Sequence, residues 1–252
     1  MTAALLRVQG LTKAFGAHRA VDGISFDLAP GEILALIGPN GAGKTTSFNM
    51  INGQLRADAG SVLYDGQAVL GRSPHAIARM GVGRSFQVAA SFSSLSVCEN
   101  VQMAFIAHHR QIYRFWTRAG SRWAEQSRAL LAQVGLAGEA ERICRELAYG
   151  DVKRLELAMA LAGEPRLLLM DEPTAGMAPG ERQELMALVC RLAQARNMAV
   201  LFTEHSMDVV FAHARRIIVM AGGRIVANGP PEAVRADPQV QRVYFGHAEA
   251  AS

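Results

Sequence analysis

Residues Gly38 to Thr45 read Gly-Pro-Asn-Gly-Ala-Gly-Lys-Thr, a run built to hold a polyphosphate. Its glycines let backbone N–H groups converge on phosphate oxygens without Cβ clashes. Lys44 has the reach for the terminal phosphates, and the Thr45 hydroxyl is a ligand for Mg²⁺. Far downstream, Asp171-Glu172 closes an apolar run. Two carboxylates at a strand tip lie where ligands bind in open α/β sheets. Asp171 would hold Mg²⁺ directly or through water, and Glu172 would polarise an attacking water as general base. A surface acid pair at the start of a loop is the alternative, and the upstream phosphate loop weighs against it. Gln87 stands where a glutamine amide would touch Mg²⁺ or the attacking water, and His205 where an imidazole would hydrogen-bond a γ-phosphate. Taken singly, Gln87 reads more readily as an ordinary surface amide, and His205 reads equally as a solvated loop histidine.

Elements that would position these groups are written around them. Ile33-Leu34-Ala35-Leu36-Ile37 is an unbroken apolar run, as for a strand buried on both faces, and Thr46–Asn52 is a plausible helix whose N-terminus adds partial positive charge at the loop. Before them, Ile24, Phe26 and Leu28 alternate with polar residues, with turns expected at Asp22-Gly23 and Pro30-Gly31. Ser61–Tyr64 reads as a further strand closed by Asp65-Gly66. From about 88 to 163 the pattern turns helical. Ile112, Phe115, Trp116 and Ala119 share one predicted face, and Val152, Leu155, Met159 and Ala162 another, with a break at Glu164-Pro165. Strands return at Arg166–Asp171 and Ala199–Thr203, with a helix over Pro179–Arg196 between them. Ile217–Met220 and Ile225–Ala227 flank a Gly222-Gly223 hairpin turn. Strand, helix, strand predicts parallel pairing around a nucleotide core.

Composition bounds the rest. At 252 residues, half of them hydrophobic, the chain can build a sizeable core, but no apolar run reaches the roughly 18–20 residues of a membrane span. The first residues lack the features of a signal peptide, and Cys98, Cys144 and Cys190 have no metal-like spacing, so a cytosolic chain with free thiols is expected. A formal charge of +4 is too small to argue for nucleic acid. A guanine-reading Asn-Lys-x-Asp is absent, and no heptads of a long coiled coil appear.

In this order and spacing the motifs resemble the nucleotide-binding subunit of an ATP-binding cassette (ABC) transporter, over nearly all of the chain. The resemblance implies an α/β P-loop NTPase: one cassette domain spanning 1–252, with a RecA-like parallel-sheet core, an antiparallel β subdomain and a helical lobe at about 88–163. It implies ATP and Mg²⁺. Gly38, Pro39, Asn40, Gly41, Ala42, Gly43, Lys44, Thr45 and Thr46 resemble the Walker A contacts to ATP, and Gln87 resembles the Q-loop. Leu167–Asp171 resembles the Walker B strand, Glu172 the catalytic base, His205 the switch histidine and Ala175–Ala178 the D-loop. Phe15 resembles the aromatic residue that stacks on adenine, although a core phenylalanine after a strand is its other reading. Leu147-Ala148-Tyr149-Gly150-Asp151 stands where the family has Leu-Ser-Gly-Gly-Gln, the signature that meets the partner subunit's nucleotide. The γ-phosphate-binding serine is thus replaced by Ala148, while Gly150 keeps backbone donors free to face an anion and Asp151 would repel a phosphate close by.

One phosphate loop and one signature-like segment imply half of an ATPase unit. The partners implied are a second cassette (a copy or a paralogue), two transmembrane permease subunits and, indirectly, a periplasmic substrate-binding protein, with no nucleic acid. The place implied is peripheral, on the cytoplasmic face of the inner (cell) membrane. The segment Phe86–Trp123, with Phe92, Phe105, Tyr113, Phe115, Trp116 and arginines at 110, 114, 118 and 122, reads either as the permease contact or as an amphipathic helix with a solvated basic face. His108-His109, the signature-like segment, the Ala175-Gly176-Met177 turn and the tail Asp237–Gly246 are similar to importers of branched-chain and related amino acids. Urea or short-chain amide importers, and a cassette ATPase outside transport, stay open on sequence alone.

Overall fold

The computed structural model describes residues 4–85, 91–109 and 123–245. Phe86 and Gln87 lie outside the described residues, as do Ile112, Tyr113, Phe115, Trp116, Ala119, the arginines at 110, 114, 118 and 122, and Gly246.

Strands β1 (Leu6–Phe15), β2 (His18–Leu28), β4 (Ala59–Tyr64) and β5 (Gln67–Ala68) form an antiparallel sheet in the order β2-β1-β4-β5. A second sheet has the order β10-β9-β3-β8-β7-β6. Its members are β3 (Ile33–Ile37), β6 (Val82–Ser85), β7 (Leu167–Asp171), β8 (Ala199–Thr203), β9 (Arg216–Ala221) and β10 (Arg224–Gly229). All neighbours pair in parallel except β9 with β10, the hairpin turning at Gly222-Gly223 with φ of 54° and 78°.

The apolar strands β3, β7 and β8 are buried throughout because each serves two cores. Successive side chains point to opposite faces. Leu34, Leu36, Leu167, Leu169 and Leu201 pack toward the antiparallel sheet and α1 (Lys44–Ile51). Ala35, Ile37, Leu168, Met170, Val200 and Phe202 pack on the other face, against α6 (Pro179–Arg196) and the cluster of helices α3 (Val97–His108), α4 (Ala124–Gln133) and α5 (Tyr149–Leu161). Smaller helices are α2 (Pro74–Arg79), α7 (Met207–His213), α8 (Pro231–Ala236) and α9 (Pro238–Phe245). Caps fix where the helices begin. Ser96 Oγ accepts from Glu99 N at 3.2 Å while Glu99 Oε2 accepts from Ser96 N at 2.7 Å, a reciprocal box that starts α3. Pro179 opens α6, and Asn197, left-handed at φ 49°, ends it.

Two sequence expectations give way. Asp22-Gly23 is not a turn: β2 runs through it, and the chain reverses earlier, between Phe15 and His18. Val21 pairs with Lys13 and Ile24 with Leu11, so Asp22 and Gly23 oppose Thr12 alone, a β-bulge with Gly23 at φ 68°. Arg19 and Arg224 hold the Asp22 carboxyl below its usual range from either side. In α5 the expected stripe is incomplete, because Val152 and Met159 are only half-buried. The buried face is instead Lys153, Leu155, Glu156, Leu157, Ala158 and Leu161, since α3, α4 and β6 all cover this helix.

Prediction: Ser96→Ala removes the α3 cap and lowers unfolding free energy by about 0.5–2 kcal/mol in urea titrations.

Candidate functional site

Because β3, β8 and β7 are parallel neighbours, the residues following each emerge at one edge of the sheet. Gly38 follows β3, Glu172 follows Asp171 at the end of β7, and Glu204-His205 follow β8. Sheet topology alone therefore gathers residues far apart in sequence.

The loop after β3 is tight. A Cβ on Gly38 would stand 2.3 Å from the Met220 carbonyl oxygen, and one on Gly43 2.2 Å from that of Ala20. Gly43 also has φ 99°, a conformation that favours glycine. It serves as the cap from which α1 starts, aiming the helix N-terminus into the loop. Lys44 is buried, and its Nζ donates to the carbonyls of Gly38 at 2.7 Å and Pro39 at 3.1 Å. Burial pushes its pKa below the usual lysine value, while the carboxylates of Glu172 and Asp171 pull the other way. Pro39, Asn40, Gly41 and Thr45 are exposed, Thr46 is half-buried, and Ala42 and Gly43 are buried.

At the tip of β7, Asp171 is 3% exposed. Its Oδ1 accepts from the Thr203 hydroxyl at 2.6 Å, and its Oδ2 is buried with no hydrogen-bond partner. Glu172 has φ 49°, unusual for a residue with a side chain. Thr203 holds that conformation: its carbonyl and hydroxyl oxygens accept from Glu172 N at 3.2 and 3.0 Å. The Glu172 carboxylate meets His205 Nε2 at 2.8 Å. Lys44, Asp171, Glu172 and His205 thus form one cluster, and the arrangement suits it to bind anionic phosphate beside an oriented carboxylate.

Phe15 stands apart, half-exposed at the end of β1, with the Lys13 ammonium 5.6 Å from its ring centre. Ala148 caps α5 without a side-chain hydrogen bond, and Tyr149, Gly150 and Asp151 form the first turn. Sequence reasoning overlooked three residues. Thr203 orients both acids, while buried Glu204 accepts from Thr174 N and Oγ1 at 2.9 and 2.7 Å and from His205 N at 3.1 Å. The signal available was the abrupt polar run Thr203-Glu204-His205 after Val200-Leu201-Phe202.

The family described as ABC transporter matches residues 21–175. The chain belongs to that family. It is an ATP-binding cassette, an ATPase subunit, and a second family, described as branched-chain amino acid ATP-binding cassette transporter, matches residues 224–250 of it. The cassette is 39% identical over 258 residues to the high-affinity branched-chain amino acid transport ATP-binding protein LivG of Escherichia coli (strain K12), covering 98% of this chain and 100% of that one. BraF of Pseudomonas aeruginosa, which carries the same description, is 36% identical with the same coverage. Among solved structures, the nucleotide-free form of an ATP-binding cassette from an ABC transporter superposes with TM-score 0.86 at 30% identity, covering 97% of this cassette and 100% of that chain. The ADP conformation of an ABC transporter cassette gives 0.88 at 31% identity, with the same coverage.

Prediction: Thr203→Val leaves Asp171 Oδ1 and Glu172 N without their side-chain partner. Stability measured by urea unfolding falls by about 1–3 kcal/mol.

Proposed function

We propose that this cassette binds Mg²⁺-ATP at Gly38–Thr46, hydrolyses it with Glu172, and energises a membrane importer for branched-chain or related amino acids. The observation that carries this reading is the meeting of the phosphate loop with Asp171, Glu172 and His205 at one sheet edge. The amides of the loop and of the first turn of α1 grip the phosphates. Lys44 leaves its loop carbonyls for the terminal phosphate oxygens. Phe15 offers an exposed ring to the adenine.

Thr45, Asp171 and Gln87 are the residues that would hold Mg²⁺. Asp171 fits the role: a buried carboxylate oxygen without a hydrogen-bond partner is a hard donor suited to a divalent cation. When bound, Mg²⁺ neutralises charge on the phosphate oxygens. Glu172 takes a proton from the attacking water. His205 orients the Glu172 carboxylate through the 2.8 Å contact and stays within reach of the departing phosphate.

The rest of the assembly follows from a site that is half complete. The backbone amides of Ala148–Asp151 at the start of α5 face the γ-phosphate held by a second cassette, so two cassettes close head to tail on ATP and part after hydrolysis. The helical lobe at about 88–163 carries that segment within the single cassette of 1–252. Two permease subunits dock on the lobe side, and a periplasmic receptor delivers cargo to them. An open groove of about 310 Å³, lined by apolar Ile77, Ala104, Ala107, Met159 and Pro165 between α2, β6 and the lobe, supports that docking. No described helix is long and apolar enough to cross a membrane, in keeping with a peripheral subunit at the cytoplasmic membrane face. The relatives' descriptions and the match at 224–250 support the cargo class.

Prediction: Glu172→Gln retains ATP binding, slows steady-state turnover by about 10²–10⁴-fold, and elutes as an ATP-dependent dimer in gel filtration. Turnover near wild type contradicts the role of Glu172. For the cargo, the complex purified from membranes and reconstituted in vesicles takes up leucine, isoleucine or valine only with ATP. Uptake of urea or a short amide in their place contradicts the cargo assignment.

A further inference from the structure

The exposed turn at Ala175-Gly176 begins three residues after Glu172 and is hydrogen-bonded to it, Ala175 N donating to the Glu172 carbonyl at 3.2 Å. On its inner side the turn is tied to the residue that follows β8, because Thr174 donates from its amide and its hydroxyl to Glu204. On its outer side it meets the lobe. The Tyr149 hydroxyl donates to the Ala175 carbonyl at 2.9 Å. The phenol ring lies against Gly176, where an added Cβ would come 3.4 Å from the ring and φ is 79°. Gly150 packs beside it, where a Cβ would stand in ordinary contact, 3.5 Å from Glu181 Oε1 and 3.8 Å from Met177 Cε.

The ring is itself held from within the lobe. The Lys153 ammonium lies 5.4 Å from its centre. Lys153 is buried and paired with Glu156 Oε2 at 3.1 Å. Lys153 and Glu156 line a small space together with Asp171 and Pro173. Tyr149, Lys153 and Glu156 share one face of α5, and that face runs beside the segment from Asp171 to Gly176.

We propose that Tyr149 is a positioning residue for Glu172. From the first turn of α5 its hydroxyl fixes the Ala175-Gly176 turn, and the turn fixes the backbone of Glu172, so that the carboxylate stays on His205. This rests on the ATPase reading above and adds a contact within the same chain. Glu172 sits in a left-handed conformation that persists only where the surroundings over-determine it. Thr203 restrains it on one side and the Tyr149-held turn on the other. The contact needs a phenol, because a serine hydroxyl on the same helix position is too short to span from α5 to the turn. The first turn of α5 and the turn after Glu172 therefore move as one body, and a shift of the lobe is felt at the hydrolytic carboxylate.

The test uses the full chain carrying Tyr149→Phe, which removes only the hydroxyl. The expected result is a fall in kcat for ATP hydrolysis of about two- to tenfold, the scale of one neutral hydrogen bond, with KM and the ATP dissociation constant unchanged. In nucleotide-free protein, amide exchange at Ala175–Met177 accelerates while the amides in the middle of α5 keep their protection. In the Glu172→Gln background, the ATP concentration that drives dimer formation is unaffected by Tyr149→Phe. A shift in that concentration assigns the hydroxyl to the partner's nucleotide and overturns the proposal, as does unchanged kcat or unchanged exchange at Ala175–Met177. Wild-type protein that binds no ATP overturns the ATPase reading instead, and the exchange measurement then still decides the Tyr149 contact.

Discussion

Ionic groups buried where apolar strands end are the constraint on which this cassette depends. Lys44, Asp171 and Glu204 are 6%, 3% and 3% exposed, each beside strands whose every residue is buried. An uncompensated buried ion costs several kcal/mol, so each is supplied with polar partners from the chain. Lys44 takes two carbonyls of its own loop, Asp171 the Thr203 hydroxyl, and Glu204 the amide and hydroxyl of Thr174. These partners also set direction. Thr203 touches both Asp171 and Glu172, so one hydroxyl orients two carboxylate residues at once.

This constraint shapes the architecture around it. Charges at the sheet edge need a rigid frame, and the two-faced strands supply it by packing into both cores. One core joins the antiparallel sheet and α1 to the phosphate loop. The other joins the helical cluster to the opposite face, so the lobe rests on the strands that deliver Asp171 and His205. The segment from Glu172 to Ala178 lies where those bodies meet, restrained from β8 by Thr174 and from α5 by Tyr149. Glu172 and the lobe are therefore mechanically close, as the proposed ATP-driven closure requires.

Much of this was legible in the sequence, and the reason is locality. The phosphate loop is eight consecutive residues between an apolar run and a helix, and the carboxylate pair ends a second apolar run. The bounds of β8 were readable to the residue and those of α6 approximately, because proline and apolar runs mark them locally. What escaped is non-local. The bulge at Asp22-Gly23 is decided by pairing with Thr12 and by Arg224, some 200 positions away. The buried face of α5 is set by elements that converge on it from three directions rather than by its own period. Thr203, Glu204 and Thr174 are unremarkable residues until β7 and β8 lie side by side. Tyr149, which stands where a family signature would place a glycine, shows its reach to Ala175 only when α5 is seen against the turn.

The central claim is that the main-chain amides of Gly38–Thr46, with the Lys44 ammonium, grip a nucleoside triphosphate. It is tested most directly by the dissociation constant of Mg²⁺-ATP measured calorimetrically for the wild-type chain and for Lys44→Ala. The account predicts saturable one-to-one binding by the wild type and a loss of at least about tenfold in the variant, the 1.4 kcal/mol expected of one charge-assisted hydrogen bond. Equal dissociation constants for the two proteins would contradict it.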